Sequence, residues 1–239
     1  MSGKLRKMAK NIKPKVTNEI VDDTLVVTLS GSVGEPFWYD DEEEDFINAK
    51  RVEALVNGSD KDIVINLNSP GGDVFDGIEV YNYLKSLDNH ITIEVTALAA
   101  SAASIIAMAG DEIVMDTGSQ MMIHQASTIT WGNKAEHYKT INALETIDSS
   151  IVSIYAERTG IDRDTLSDWL SGETWFTAEE AVAKGMADVI GVSQKVENTV
   201  YMSIDTDDVV QKVIAHLESK NKLEEKPKTG LNKLFGGKK

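Results

Sequence analysis

From about Glu19 the apolar positions keep two rhythms, short β-type runs and longer stretches at helical spacing. Residues 23–29 (DTLVVTL) form a β-branched run closed by Ser30-Gly31, which predicts a strand. Phe46, Ala49, Val52 and Leu55 then recur at helical spacing behind the acidic run 40–45 (DDEEED). Residues 62–67 (DIVINL) predict a strand, followed by the turn Asn68-Ser69-Pro70-Gly71-Gly72. A helix over 73–87 follows, with Val74, Ile78, Tyr81 and Leu84 on one face. Residues 91–98 (ITIEVTAL) predict a third strand, and the small-residue stretch 99–109 a helix stopped by Gly110. Residues 112–115 and 120–123 are short apolar runs of strand type.

A long amphipathic helix is predicted over 134–158, with Tyr138, Ile141, Leu144, Ile147, Ile151 and Tyr155 as its stripe and Thr159-Gly160 as its end. Shorter helices are expected over 164–170 and 178–184. The second is opened by Thr177 as cap, with Glu180 three residues on. Val189-Ile190 and residues 194–203 look like closing strands, and one more helix fits 207–219. Strand–helix alternation of this kind predicts an α/β core with covered sheets.

Composition narrows this picture. At 239 residues and 41% hydrophobic, the chain can build one sizeable core or two small ones. It has no cysteine, which removes disulfides, thiolate nucleophiles and thiolate metal sites and fits a reducing compartment. The basic N-terminus lacks the apolar segment of a secretory signal, and no run is long enough to span a bilayer. A soluble cytoplasmic protein is the expectation.

The net charge of −15 is uneven. Residues 1–18 carry six basic groups and 226–239 five lysines, neither with an acid, so about −26 falls on residues 19–225. An acidic body argues against nucleic acid as partner, since phosphate contacts need a basic face. The basic ends read as solvated tails. The run 40–45 reads as a solvated helix cap in preference to a metal site, because acids in a first turn complement the helix dipole. No metal or other cofactor is expected.

Three features carry candidate chemistry. Ser101 follows a strand and stands in the first turn of a helix, where unpaired backbone N–H groups favour a developing oxyanion. Taken by itself it reads first as a small residue at a tight helix–strand surface. Asn68–Gly72 has two glycines that let the backbone approach a ligand and expose N–H donors, although an ordinary strand-to-helix turn looks the same. It lacks the lysine and spacing of a phosphate loop. Of the four histidines (His90, His124, His137 and His216), His124 ends a strand-type run, where α/β sheets present reactive groups. A strand-end histidine bonded to backbone fits that position equally well.

Together these segments resemble the proteolytic subunit of the Clp protease family. The resemblance runs from about Ile63 to Val192. It rests on Asn68-Ser69-Pro70-Gly71-Gly72, Ala99-Ala100-Ser101 with Met108-Ala109-Gly110, and Met122-Ile123-His124-Gln125. Trp175-Phe176-Thr177-Ala178-Glu179-Glu180-Ala181, then Gly185 and Asp188, complete it. Four ordered motifs are far more specific than any one of them. The resemblance implies a crotonase-like α/β fold (the ClpP type) of stacked ββα units, with helix 134–158 projecting as a handle that joins two rings. It implies Ser101 as nucleophile, His124 as general base, and the amides of Gly72 and Ala102 as an oxyanion hole. Gly71, Ser127 and Thr128 would line the substrate groove. The family's usual aspartate is replaced here by Glu173, with Asp168 as the fallback for the third triad position.

The resemblance also implies polypeptide substrates, homo-oligomeric rings of seven and an ATP-driven (AAA+) unfoldase as partner. The ends depart from the housekeeping pattern. Gly34-Glu35-Pro36-Phe37-Trp38 and the acidic run do not look like the axial loop that meets an unfoldase, and an extension follows Ser203. In these respects the chain is similar to Clp-related peptidases of phages and prophages, which process capsid or scaffold proteins during head maturation. The expected organisation is a basic tail over 1–18, a peptidase domain over 19–195 and a partly helical extension over 196–239. Two other readings stand beside the peptidase, a catalytically silent ring or scaffold component and an acyl-CoA hydratase of the same fold. A Ser–Lys signal-peptide peptidase, related in fold, should carry a membrane anchor.

Overall fold

A computed structural model describes residues 12–35 and 46–191 of the chain. The acidic run 40–45, the expected strand 194–203, the helix 207–219 and the extension 196–239 lie outside the described residues. Within them the strands are β1 (Lys15–Val21), β2 (Thr24–Ser30), β3 (Ile63–Ser69), β4 (Ile91–Ala100), β5 (Glu112–Asp116), β6 (Gln120–Ile123), β7 (Thr174–Thr177) and β8 (Val189–Gly191). The helices are α1 (Ala49–Val56), α2 (Val74–Lys85), α3 (Ala102–Ala107), α4 (Lys134–Thr159), α5 (Arg163–Ser171) and α6 (Ala178–Ala183).

The strands form one sheet in the order β1-β2-β3-β4-β5-β8, with β6 beside the far end of β4 and β7 beside β6. The β1–β2 hairpin and the β6–β7 pair are antiparallel, and the other pairings are parallel. On β2, β3 and β4 alternate residues are buried: Leu25, Val27 and Leu29, then Ile63, Ile65 and Leu67, then Ile91, Ile93 and Val95. Their neighbours on the opposite face (Val26, Val64, Asn66, Thr92 and Glu94) are only half-buried. The helices therefore cover one face of these strands. Strict period-two alternation is the pattern of a one-sided sheet, and β3 follows it throughout.

Two differences from the sequence pattern have physical causes. The stretch 99–109 is not one helix. Ala99 and Ala100 continue β4 in parallel register with Met121 and Met122, and α3 starts only at Ala102. Alanine's helical preference is weak beside a ladder of sheet hydrogen bonds, and its small side chain fits a fully buried strand end. At the other end of the chain, β1 begins at Lys15, inside the segment expected as a tail. Its seven residues are mostly polar and exposed, so it lacks the apolar alternation by which a strand is read.

The capping chemistry largely follows the sequence. Asp73 caps α2 by accepting from the amides of Phe75 and Asp76. Thr177 and Glu180 form a reciprocal capping box at α6. Asn133 caps α4, and Gly160 closes it at φ 70°. At 26 residues α4 is about 39 Å long. Only its C-terminal half enters the core, through Ile151, Val152 and Tyr155, while Tyr138 and Ile141 are exposed. Arg158, near its end, donates to the carbonyl of Gly110 and pairs with Asp188, whose carboxylate also accepts from the Ile113 amide. Among the described residues no helix is long and apolar enough to cross a membrane.

Phe176 is fully buried on β7, opposite Met121 of β6, and meets the Trp169 ring edge-on with centroids 5.3 Å apart. It thus ties α5 to the strand that ends at His124. Phe176→Ala should lower the unfolding free energy by about 3–5 kcal/mol. Urea denaturation of both proteins, followed by circular dichroism, checks this.

Candidate active site

Three chain segments meet because three parallel strands end together. β3 runs beside β4 with Ser69 opposite Ala99, so the turn after β3 lies against Ser101. β6 runs beside β4 with Ala100 opposite Met122, so His124 leaves its strand at the same end of the sheet. The Ser101 amide donates to the Met122 carbonyl at 2.8 Å, carrying this pairing one residue past β4. β7 then runs back along β6 with Ile123 opposite Thr174, which puts Glu173 next to His124 in register. Side chains at the carboxyl ends of neighbouring parallel strands converge in this way in α/β sheets.

Ser101 sits at φ 56° and ψ −126°, a conformation few non-glycine residues adopt. Strain of this kind is of order 1–3 kcal/mol and persists only where surrounding structure over-determines it. Here it turns the chain sharply from β4 into α3, so that Oγ stands clear of both. The His124 ring nitrogen Nε2 lies 2.7 Å from Ser101 Oγ. That is hydrogen-bond distance, the geometry a serine nucleophile and its base would need.

The glycines of the β3 turn are dictated by contact. A Cβ on Gly71, itself at φ 84°, would stand 2.5 Å from the Ala100 carbonyl oxygen and 2.7 Å from Ser101 Cβ. A Cβ on Gly72 would stand 1.9 Å from the carbonyl oxygen of Val33. Val33 donates to the Gly71 carbonyl and accepts from the Asp73 amide, clamping the turn from the other side. This bridging pattern leaves the Gly72 amide out of the clamp. Ala102 opens α3, where first-turn amides have no intrahelical acceptor. Gly72 and Ala102 thus flank Ser101 in one pocket.

A cleft of about 220 Å³ runs along this edge. Gly72, Ser101, Ala102 and His124 form one side, and Ile105, Leu144, Ile147 and Tyr155 give it an apolar floor. Ser127 and Thr128 also line it. Gly71 does not line it. Gly71 packs behind Ser101 with its amide donating to Ser69 Oγ at 3.1 Å and its carbonyl accepting from Val33.

Burial is the largest influence on His124 and lowers its pKa. The charges of Glu173 and Asp148 act the other way, but burial prevails. A ring held below the ordinary histidine range is neutral at pH 7, the state a base requires. Glu173, at φ 49°, turns the chain from α5 into β7, and its Oε1 accepts from the Trp175 indole N–H at 3.5 Å. No Glu173–His124 hydrogen bond is found among the described residues. Asp168, the fallback, is exposed on α5 and is not among the charges that act on His124.

Asp148 was not legible in the sequence as a site residue. Its carboxylate accepts from the Ala126 amide at 2.7 Å, fastening the segment after His124 to α4. An aspartate on a long helix gives no such signal by spacing, because its partner lies 22 residues away. Among the described residues no three His, Asp or Glu side chains are grouped to hold a metal ion.

The Clp protease family profile matches residues 39–194. The chain belongs to the Clp protease family. An ATP-dependent Clp protease proteolytic subunit of Bacteroides fragilis is 30% identical over 132 residues, 54% of this chain and 64% of that protein. Proteolytic subunit 1 of Chlamydia abortus is 35% identical over 135 residues, 54% of this chain and 69% of the relative. Its Streptomyces avermitilis counterpart is 32% identical over 152 residues, 60% and 70% respectively. Matches to the Bacteroides relatives span 60% to 64% of those proteins' length. Membership of the Clp family accounts for the mixed α/β architecture, which is of the ClpP type.

For this Clp-family site the sign of the pH dependence follows from His124. The base is active when neutral, so reactivity of Ser101 should fall with acid through a midpoint below about pH 6.5. Glu173→Gln removes a charge that favours the protonated ring and should move that midpoint further into acid. The rate of fluorophosphonate labelling from pH 4.5 to 8 checks both.

Proposed function

We propose that this chain is a serine endopeptidase that cleaves polypeptides through a covalent acyl-enzyme. The observation that carries the reading is the 2.7 Å contact between His124 Nε2 and Ser101 Oγ, in a cleft that Gly72 and Ala102 also line. Ser101 Oγ attacks the scissile carbonyl carbon while His124 takes its proton. The carbonyl oxygen becomes an oxyanion held by the amides of Gly72 and Ala102. The C–N bond then breaks as His124 returns the proton to the leaving amine. Water, deprotonated by His124, attacks the ester and releases the second product, restoring Ser101.

Glu173 is the acid that favours the protonated ring during this cycle, through its charge and its place opposite His124 in the β6–β7 register. A glutamate reaches one methylene further than the family's aspartate, so it can act from a strand turn. The substrate lies extended along the cleft, past Ser127 and Thr128, with apolar side chains toward Ile105, Leu144 and Ile147.

The assembly follows the family: rings of seven in the cytoplasm that enclose the clefts, joined through the exposed half of α4. Closed cyclic symmetry suits a chamber that excludes folded proteins. The departures at residues 34–38 and after Ser203 support a role in processing phage capsid or scaffold proteins.

Ser101→Ala removes one oxygen and should abolish peptide hydrolysis while leaving fold and oligomer intact. Peptide mass mapping after fluorophosphonate treatment should find a single adduct on Ser101 of the natural chain and none on the variant. Folded, assembled protein that takes no label would overturn the peptidase reading in favour of a silent scaffold. Turnover of crotonyl-CoA by unlabelled protein would move it to the hydratase class.

A further inference from the structure

Behind Ser101 lies a buried polar chain that the reaction steps above leave unused. Ser104 is fully buried in α3, and its Oγ lies 2.6 Å from the Ser101 carbonyl oxygen. The Tyr155 hydroxyl, 1% exposed, lies 2.8 Å from the same Ser104 Oγ. Ser104 has one proton, and a carbonyl oxygen can only accept. The proton therefore goes to Ser101, and Tyr155 must donate to Ser104. Burial raises the Tyr155 pKa, so its hydroxyl keeps the proton it donates.

The Ser101 carbonyl is half of a peptide plane whose other half is the Ala102 N–H. Because that unit is planar and trans, fixing the carbonyl direction fixes the opposed N–H. The carbonyl receives two bonds, from the Ser104 amide at 2.9 Å and from the Ser104 hydroxyl. The residue carrying it holds a strained φ of 56°. A serine that bonds back one turn in a helix is common by itself. What sets this one apart is the second donor: α4 brings a buried tyrosine onto it from 51 residues away.

We propose that Ser104 and Tyr155 are positioning residues for the oxyanion hole, locking the Ser101–Ala102 peptide so that the Ala102 N–H stays aimed into the cleft. The proposal rests on the peptidase reading above. Neither side chain touches substrate through its polar atoms, and both act through the peptide they hold. Tyr155 also borders the cleft.

The test is a double-mutant cycle of Tyr155→Phe and Ser104→Ala, read by fluorophosphonate inactivation kinetics. Attack on phosphorus loads negative charge onto an oxygen in the hole, as attack on carbon does. Removing an oxyanion donor outright costs about 100- to 1,000-fold, so loosening one should cost about 10-fold. The expected result is a maximal inactivation rate about 10-fold lower in each single variant, with the half-saturating probe concentration unchanged. Tyr155→Phe should then have less than a twofold further effect in the Ser104→Ala background, because the chain is already broken. Thermal melts of all four proteins verify that each is folded. Single variants that react at the rate of the natural chain overturn the proposal, and so do effects that multiply independently. A natural chain that takes no label at all would instead overturn the peptidase reading itself.

Discussion

The site depends on one turn of backbone, the passage from β4 into α3 at Ser101. A non-glycine residue at φ 56° is stable only when its neighbours leave it no other course. The Met122 carbonyl holds its amide, Ser104 holds its carbonyl, and Gly71 packs against its Cβ from behind. Each constraint comes from a different element: β6, α3 and the turn after β3. The strained nucleophile is thus a product of the whole sheet end. Its alanine neighbours are small because three backbones approach one another there.

The same crowding explains the choice of partners for β4. Its first half pairs with β5 and its last residues with β6, so the strand passes from one neighbour to another before it turns. β6 carries His124 out at the level of Ser101, and β7 brings Glu173 back to the level of His124. Register across β4, β6 and β7 sets the reach between Ser101, His124 and Glu173. Phe176, buried beneath that ladder, ties the arrangement to α5 and so to the core.

The helix α4 has two parts with different duties. Its outer half carries exposed Tyr138 and Ile141. Its inner half supplies Asp148 to the His124 segment and Tyr155 to Ser104. One helix therefore braces the base on one side of the cleft and the nucleophile's peptide on the other. The charge of Asp148 and that of Glu173 both work against the burial that keeps His124 neutral. The base gains stability for its protonated form without losing the neutral form it starts from.

Much of this is legible in the sequence, for reasons that are local. Apolar periodicity places β2, β3, β4 and α4, because burying one face demands it. Thr177 and Gly160 mark helix ends through capping chemistry that acts over three or four residues. The ordered motifs around Gly72, Ser101, His124 and Trp175 point to the family. What stays hidden depends on contacts distant in sequence. The strand character of Ala99 and Ala100 is imposed by Met121 and Met122, against the preference of alanine. β1 is polar and exposed, so only its pairing with β2 reveals it. Gly71 reads as a substrate contact by its position in the motif, yet packing turns it behind Ser101. Asp148, Ser104 and Tyr155 carry no spacing signal, because the atoms they hold are brought to them by the sheet and by α4. Local chemistry writes element ends and reacting groups into the chain, whereas the braces of the site exist only once distant strands have settled into register.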